Sequence, residues 1–440
     1  MFVTGERFPC RPQNLSRPIR FVSKAGWSRL GSKMTELRHI AIVGASLAGA
    51  RAAEGLRKQG FEGRITMFGE EPWRPYERPT LSKTALLNEG EEPVWVHPAT
   101  YYAEAGIDLR AGRAVERLER LDEGFRLFVG DEGVQADKVL LATGAAVRRL
   151  AGTENLTRVH YLRDWRDTQT LGNALRKSER VIVVGSGFIG AEIAATASKL
   201  CNEVILIEAC PDLFPTVGSL AIREALRAAH ARAGVSFRTG VACTAFEETS
   251  HGVSVSLDDG SRVSGDIAVV GIGVAARDDL ARQAGAETDS GVVVNANFQS
   301  NVPGLYAAGD VAVTRGPDGQ LTRTGHWRAA QEQGAAAAAA MLGLEIPQLS
   351  LPWHWSDQYE HRLDAYGDCL SADKSVLRRE ENGGLTEFHL SDGKLVGITG
   401  LDTARVFRPA VKWIGQDVWP NAEDLANPAI PIKKISLEVA

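Results

Sequence analysis

From residue 38 onward, short apolar runs alternate with stretches of helical spacing. His39–Val43 is such a run and predicts a strand. A turn of mostly small residues follows at 44–49, helical spacing runs to about Gln59, and Gly60 offers a C-cap. Arg64–Phe68 predicts a second strand. Weaker strands are predicted near Phe125–Val129 and Lys138–Leu141, the latter ending in Ala142, Thr143 and Gly144. The unit then repeats, with a strand at Arg180–Val184, a turn at 185–190, a helix over 188–200 and a strand at 203–207. A duplicated β–turn–α–β unit predicts two parallel, helix-covered sheets. A third apolar segment, 304–308, ends in Gly309 and Asp310. After Pro352 the texture changes. Residues 375–379, 385–390 and 394–399 read as an antiparallel meander, with Asp392-Gly393 as a hairpin turn. That predicts a separate C-terminal α+β domain. Residues 335–340 are all alanine, the best helix former, and predict plain helix.

Composition narrows this picture. A chain of 440 residues has room for two or three domains. Its net charge of -5 argues against bulk nucleic-acid binding and against a polybasic membrane anchor. No apolar run approaches the roughly 18–20 residues of a membrane span. The cysteines, Cys10, Cys201, Cys210, Cys243 and Cys369, are scattered, with no CxxC and no metal or iron–sulfur spacing, so no metal site is expected. They read as reduced thiols of a cytoplasmic protein. Residues 1–33 carry Arg7, Arg11, Arg17, Arg20, Lys24, Arg29 and Lys33 against Glu6 alone, and Met34 stands just before the first strand. Without a long apolar core they are not a secretory signal. A disordered tail, or a stretch upstream of the true start, is expected over a targeting segment.

The second unit holds the sharper chemistry. Gly185-Ser186-Gly187-Phe188-Ile189-Gly190 is GxGxxG between a strand and a helix. The first glycine allows the tight turn, the second a close approach of backbone to a pyrophosphate, the third close packing of helix on strand. The helix N-terminus then faces the phosphates. Glu208 closes the next strand, where an acid accepts hydrogen bonds from a ribose 2′-hydroxyl. No arginine stands in Ala209-Cys210-Pro211, so NADH is expected over NADPH. The first unit, Gly44-Ala45-Ser46-Leu47-Ala48-Gly49, has serine at the middle glycine position. Glu70, beyond Gly69, supplies its ribose-binding acid at a longer spacing. Two nucleotide units suggest a resident cofactor and a visiting one. The resident one reads as a flavin, because hydride needs an acceptor.

Further motifs resemble a known family. Pro75-Tyr76-Glu77-Arg78-Pro79-Thr80-Leu81-Ser82-Lys83, residues 140–144, Tyr161-Leu162-Arg163, residues 270–274, residues 306–310 (YAAGD) and residues 353–358 (WHWSDQ) are its carriers. The chain resembles, from about Arg38 to its end, the FAD-dependent ferredoxin reductases of bacterial oxygenase systems, within the glutathione-reductase-like fold group. The resemblance implies two Rossmann-like domains plus a C-terminal α+β domain. Residues 37–147 and 274–348 would bind FAD, 148–273 NAD, and 349–440 would form the last domain, after an extension at 1–36. It implies FAD contacts from Gly44, Ser46, Ala48, Gly49, Glu70, Arg78, Lys83, Val115, Ala142, Arg163, Asp310 and Trp327. NAD(H) would meet Gly185, Gly187, Ile189, Gly190, Glu192, Glu208 and Gly271. Lys83 is expected beside the flavin ring, paired with Glu192, as the catalytic pair. Asp310 would hold the ribityl chain, and the helix starting near Trp327 would aim its N-terminus at the pyrimidine ring.

The implied activity is transfer of electrons from NADH through FAD to a small acidic [2Fe-2S] ferredoxin. That ferredoxin would serve a Rieske dioxygenase or a cytochrome P450. Arg405, Arg408 and Lys412 read either as a solvated helix face or as a surface for the acidic partner. Three alternatives stay open. A rubredoxin reductase or a direct NADH oxidase shares the cofactor motifs, and an NADH-sensing flavoprotein would signal instead of turning over. A disulfide reductase is disfavoured, because Cys201 and Cys210 bracket a strand and stand far apart.

Overall fold

The computed structural model describes residues 37–416 and 418–439. Strands buried on both faces read as continuous apolar runs, and parallel sheets need that. His39–Val43 and Arg180–Val184 are buried from their second residue onward. Each is the centre of a five-stranded parallel sheet. The first sheet runs in the order Leu305–Ala307, Lys138–Leu141, His39–Val43, Arg64–Phe68, Ile107–Arg110. The second runs Val235–Thr239, Glu203–Glu208, Arg180–Val184, Ile267–Val270, Val159–His160. The chain leaves the first unit along Ala145–Val147 and returns along Val274–Ala276, and these two crossings pair antiparallel.

Three helices begin where the sheets end. Helix α1 is Leu47–Lys58, α2 is Phe188–Ala197 and α3 is Trp327–Met341. The alanine run in α3 is more than helix propensity. Ala336, Ala337, Ala338 and Ala339 are buried. A Cβ on Gly334 would stand 2.3 Å from the Ala48 carbonyl oxygen, and one on Gly55 3.0 Å from the Ala338 methyl. Small residues therefore let α1 and α3 touch, which brings their N-termini together.

The C-terminal sheet is antiparallel, in the order Trp353–Gln358, His361–Gly367, Lys394–Leu401, Leu385–Ser391, Lys374–Arg379. Asp392 and Gly393 turn the hairpin with φ of 51° and 75°, the paired positive values that a two-residue turn requires.

The structure corrects one reading and refines two others. The helix expected over 188–200 stops at Ala197, where the Ser198 hydroxyl turns back to the Ala195 carbonyl. The strand that begins at Glu203 ends on Glu208, the acid expected to close it, one residue beyond the apolar run at 203–207. The strand expected at Phe125–Val129 is present, as the middle of an antiparallel meander with Arg117–Arg120 and Glu132–Ala136, outside the parallel sheet. The expected disordered extension at 1–36, with Cys10, lies outside the described residues. No described helix is long and apolar enough to cross a membrane.

Candidate active site

Both parallel sheets end in the same kind of turn. Gly44 has φ of +119°, and a Cβ there would stand 2.0 Å from the Ala142 carbonyl oxygen. Gly185 has φ of +96°, with the Gly271 carbonyl oxygen 2.5 Å from a would-be Cβ. Any other residue fails on backbone angle and on space. The third glycines, Gly49 and Gly190, each lie against the carbonyl of the first, 2.0 Å from a would-be Cβ. At Gly187 nothing lies within 4 Å of that position, and the residue faces an open cleft. Neither α1 nor α2 is capped by a side chain at Ser46 or Gly187. Their first N–H groups therefore face the cleft without a capping partner, as a bound pyrophosphate requires. The residues present fit a dinucleotide at each turn.

The cleft holds about 910 Å³ and is lined from all three parts of the chain. Ser46, Ala48, Arg78, Lys83, Ala142, Arg163, Asp310 and Trp327 line it from one side. Gly187, Ile189, Glu192 and Gly271 line it from the other. Where the two sides meet, Lys83 Nζ lies 3.0 Å from Glu192 Oε1 and 3.8 Å from Asp357 Oδ2. Glu192 is only 3% exposed, and it also accepts from the Ser82 hydroxyl at 2.5 Å and the Ser356 hydroxyl at 2.8 Å.

A second network holds the first-unit side of the cleft. Arg78 Nη1 donates to the Arg163 carbonyl at 2.6 Å, and Nη2 pairs with Glu71 at 2.5 Å. The Tyr76 hydroxyl donates to the other Glu71 oxygen at 2.5 Å and accepts from the Trp165 N–H at 3.0 Å. Arg163 Nη2 reaches Asp310 Oδ2 at 3.0 Å. Ser46 Oγ accepts from Arg78 Nε at 3.3 Å, so the serine at the middle glycine position joins this network. Trp327 donates its indole N–H to Glu77 and meets Trp355 edge to face at 5.6 Å.

Three expected contacts sit differently. Glu70 lines the cleft but is paired with Arg277, whose guanidinium holds its carboxyl below the usual range against burial. Glu208 is buried behind the turn, accepting from the Ser186 N–H and hydroxyl, both at 2.7 Å, and from the Cys210 N–H at 2.9 Å. Each carboxylate oxygen has two lone pairs, so capacity remains for a ribose hydroxyl. Val115 packs against the first hydrophobic core and does not line the cleft.

Two histidines are among the cleft residues that the sequence does not mark. His326 caps α3 by accepting the Ala329 N–H at 3.1 Å, and His354 meets its ring edge to face at 4.6 Å. Burial first, then His354 and Arg328, lower the His326 pKa to about 3; burial lowers that of His354 to about 4. Both rings are neutral at neutral pH. The adjacent pair of motifs, His326-Trp327 and Trp353-His354-Trp355, was the only signal available.

Three of the described thiols are poor candidates for redox chemistry. Burial pushes Cys201 and Cys369 up to about 11 and Cys243 to about 12. Among the described residues no group of three or more histidine, cysteine or acidic side chains could hold a metal ion.

Comparison with known proteins agrees with this geometry. Residues 38–334 match the pyridine nucleotide-disulphide oxidoreductase family, and residues 353–436 match the reductase C-terminal domain. The chain is 36% identical, over 88% of its length and 96% of the relative's, to the biphenyl dioxygenase system ferredoxin–NAD(+) reductase component of Paraburkholderia xenovorans (strain LB400). Its fold is similar to putidaredoxin reductase in its covalent complex with putidaredoxin, with a TM-score of 0.84 and 28% identity over 90% of this chain and 97% of that one. It is similar as well to the ferredoxin reductase for the CYP199A2 system of Rhodopseudomonas palustris, with a TM-score of 0.82 and 28% identity over 90% and 99%. The family binds FAD and NAD(H), the two dinucleotides the turns imply. The chain belongs to the pyridine nucleotide-disulphide oxidoreductase family and is an oxidoreductase of its ferredoxin-reductase kind.

Proposed function

We propose that this protein carries electrons from NADH through FAD to a [2Fe-2S] ferredoxin that serves a Rieske dioxygenase or a cytochrome P450. One observation carries the reading: two uncapped helix N-termini open on one cleft, and Lys83 and Glu192 pair where the two sides meet. FAD, when bound, would supply the acceptor for hydride from nicotinamide. The chain supplies the rest. The α1 and α2 N-termini would hold the pyrophosphates, and Arg163 would orient Asp310 toward the ribityl hydroxyls of the first dinucleotide. Gly187 admits the second dinucleotide closely. Lys83 places a cation where negative charge develops, and Glu192 keeps that cation in place.

Glu208 sets the nicotinamide preference. A 2′-phosphate would meet a buried carboxylate. Glu208→Ala is expected to lower kcat/KM for NADH about tenfold, because one charge-assisted hydrogen bond is lost, and to raise that for NADPH, because the repulsion of its 2′-phosphate is relieved. Steady-state kinetics with both nucleotides checks this.

For the partner, helix α4 (Ala404–Ala410) and the turn after it present Arg405, Arg408 and Lys412, all exposed and all on one stretch. An acidic ferredoxin would be steered to such a face. The test uses purified protein, NADH, cytochrome c and an added [2Fe-2S] ferredoxin. Cytochrome c reduction should depend on the ferredoxin, and the triple charge reversal to Glu should raise the KM for ferredoxin about tenfold at low salt. Flavin bleaching by NADH with no gain from ferredoxin would remove the partner and leave both cofactor sites standing.

A further inference from the structure

The Lys83–Glu192 pair is held from beyond the two dinucleotide units. Trp353–Gln358 is an edge strand of the C-terminal sheet. Alternate residues of a strand share a face. On this one Ser356 and Gln358 are both buried, and Ser356 reaches Glu192 on α2 at 2.8 Å. Gln358 Nε2 lies 3.1 Å from Ser356 Oγ, and Gln358 Oε1 lies 2.9 Å from His230 Nε2. His230 Nδ1 lies 3.0 Å from the Tyr359 hydroxyl, which the Ser198 hydroxyl approaches at 3.5 Å.

The chemistry of these groups fixes every proton in the row. Glu192 accepts from Lys83 and Ser82, so Ser356 meets it as a donor. The Ser356 oxygen then accepts from the Gln358 amide N–H. That orientation leaves the Gln358 carbonyl oxygen facing His230, which must carry its proton on Nε2. Nδ1 is thereby an acceptor, and Tyr359 donates to it. All donors run one way, toward Glu192. Burial lowers the His230 pKa to about 4, so the ring stays neutral and the direction holds at neutral pH.

We propose that Ser356, Gln358 and His230 are positioning residues, by which the C-terminal domain fixes the Glu192 carboxylate against Lys83. The inference rests on the proposed place of Lys83 and Glu192 at the reacting end. His230 does not touch that end. It locks the amide of Gln358, because a flipped amide would point its carbonyl oxygen at Ser356. Ser356 would then donate to Gln358 and leave Glu192. Chain elements from three parts of the fold are thus set by one proton on one ring.

The first measurement is of the protein itself. Ring 15N NMR should show a buried histidine in the single neutral Nε2–H form across neutral pH, and its signal should vanish in His230→Gln. The second is stopped-flow reduction of the bound flavin by NADH. Ser356→Ala deletes one small hydroxyl and should slow the limiting rate roughly tenfold with little change in NADH affinity. His230→Leu should slow it similarly. His230→Gln, which still offers an N–H to Gln358, should restore most of the rate, which a packing role alone would not produce. Equal rates in Ser356→Ala and wild type, or an Nδ1–H ring, overturn the proposal. Glu192→Gln separates the two readings. If it slows reduction while Ser356→Ala does not, only the positioning role fails; if neither slows it, the reacting-end assignment fails too.

Discussion

In Lys83→Met, the limiting rate of flavin reduction by NADH is expected to fall about a hundredfold, the usual loss when one preorganised charge is removed from a reacting site. The same change should lower the apparent melting temperature by several degrees. The cause is geometric. Glu192 is almost fully buried, and its cation lies 3.0 Å away with Asp357 Oδ2 at 3.8 Å on the other side. Removing Lys83 leaves two carboxylates facing each other with only hydroxyl donors from Ser82 and Ser356 on Glu192. An uncompensated buried charge costs about 3 kcal/mol or more. The double variant Lys83→Met/Glu192→Leu should therefore recover most of the lost stability but none of the lost rate. Stopped-flow absorbance and thermal unfolding separate the two effects. A rate equal to wild type in Lys83→Met would take Lys83 out of the reacting end and leave the dinucleotide turns untouched.

The parallel sheets and both turns were legible because their signals are local. Strand, glycine spacing, helix and closing acid all lie within one short segment, and each has a steric reason. What stayed hidden depends on distant contacts. Ile107–Arg110, the fifth strand of the first sheet, is part polar because only its first residue is fully buried. The hairpin at Tyr359 escaped notice although Asp392-Gly393 did not. Tyr359 has φ of +58°, and an aromatic residue gives no turn signal. Glu71 is just another acid in the sequence, yet it anchors both Tyr76 and Arg78. Arg277 arrives from the returning strand to pair with Glu70, a contact no spacing announces. Lys83 and Glu192 entered through resemblance alone. Their separation in the chain exceeds anything periodicity can read, and the fold closes it to 3.0 Å.

Acid should unfold this protein early, near pH 5, above the range where ordinary carboxylates take up protons. Four histidines are responsible. Burial lowers His230, His354 and His389 to about 4 and is the main cause of about 3 at His326. Their ordinary value is 6.5. Below about pH 6.5 the unfolded chain takes up these protons and the folded chain does not, until about pH 4. The unfolded state therefore binds more protons across that window, and stability rises with pH through it and levels above it. Each such group contributes up to about 1.4 kcal/mol per pH unit. Four of them, discounted by half, still remove about 3 kcal/mol per unit, against a typical total of about 5–15 kcal/mol. His39, His97 and His160 are lowered as well and act in the same direction. Urea unfolding at a series of pH values, with FAD held at one fixed excess because ligand binding shifts the midpoint, gives the slope. His389 is the cleanest lever. It lies in the C-terminal sheet, with Nε2 2.9 Å from Thr399 Oγ1, and does not line the cleft. His389→Gln keeps a partner for Thr399 and should reduce the slope by about a quarter without changing flavin reduction. A midpoint that stays level from pH 7 to about 5 would mean that these rings take up protons in the folded state, and the neutral His230 on which the Glu192 chain depends would go with them.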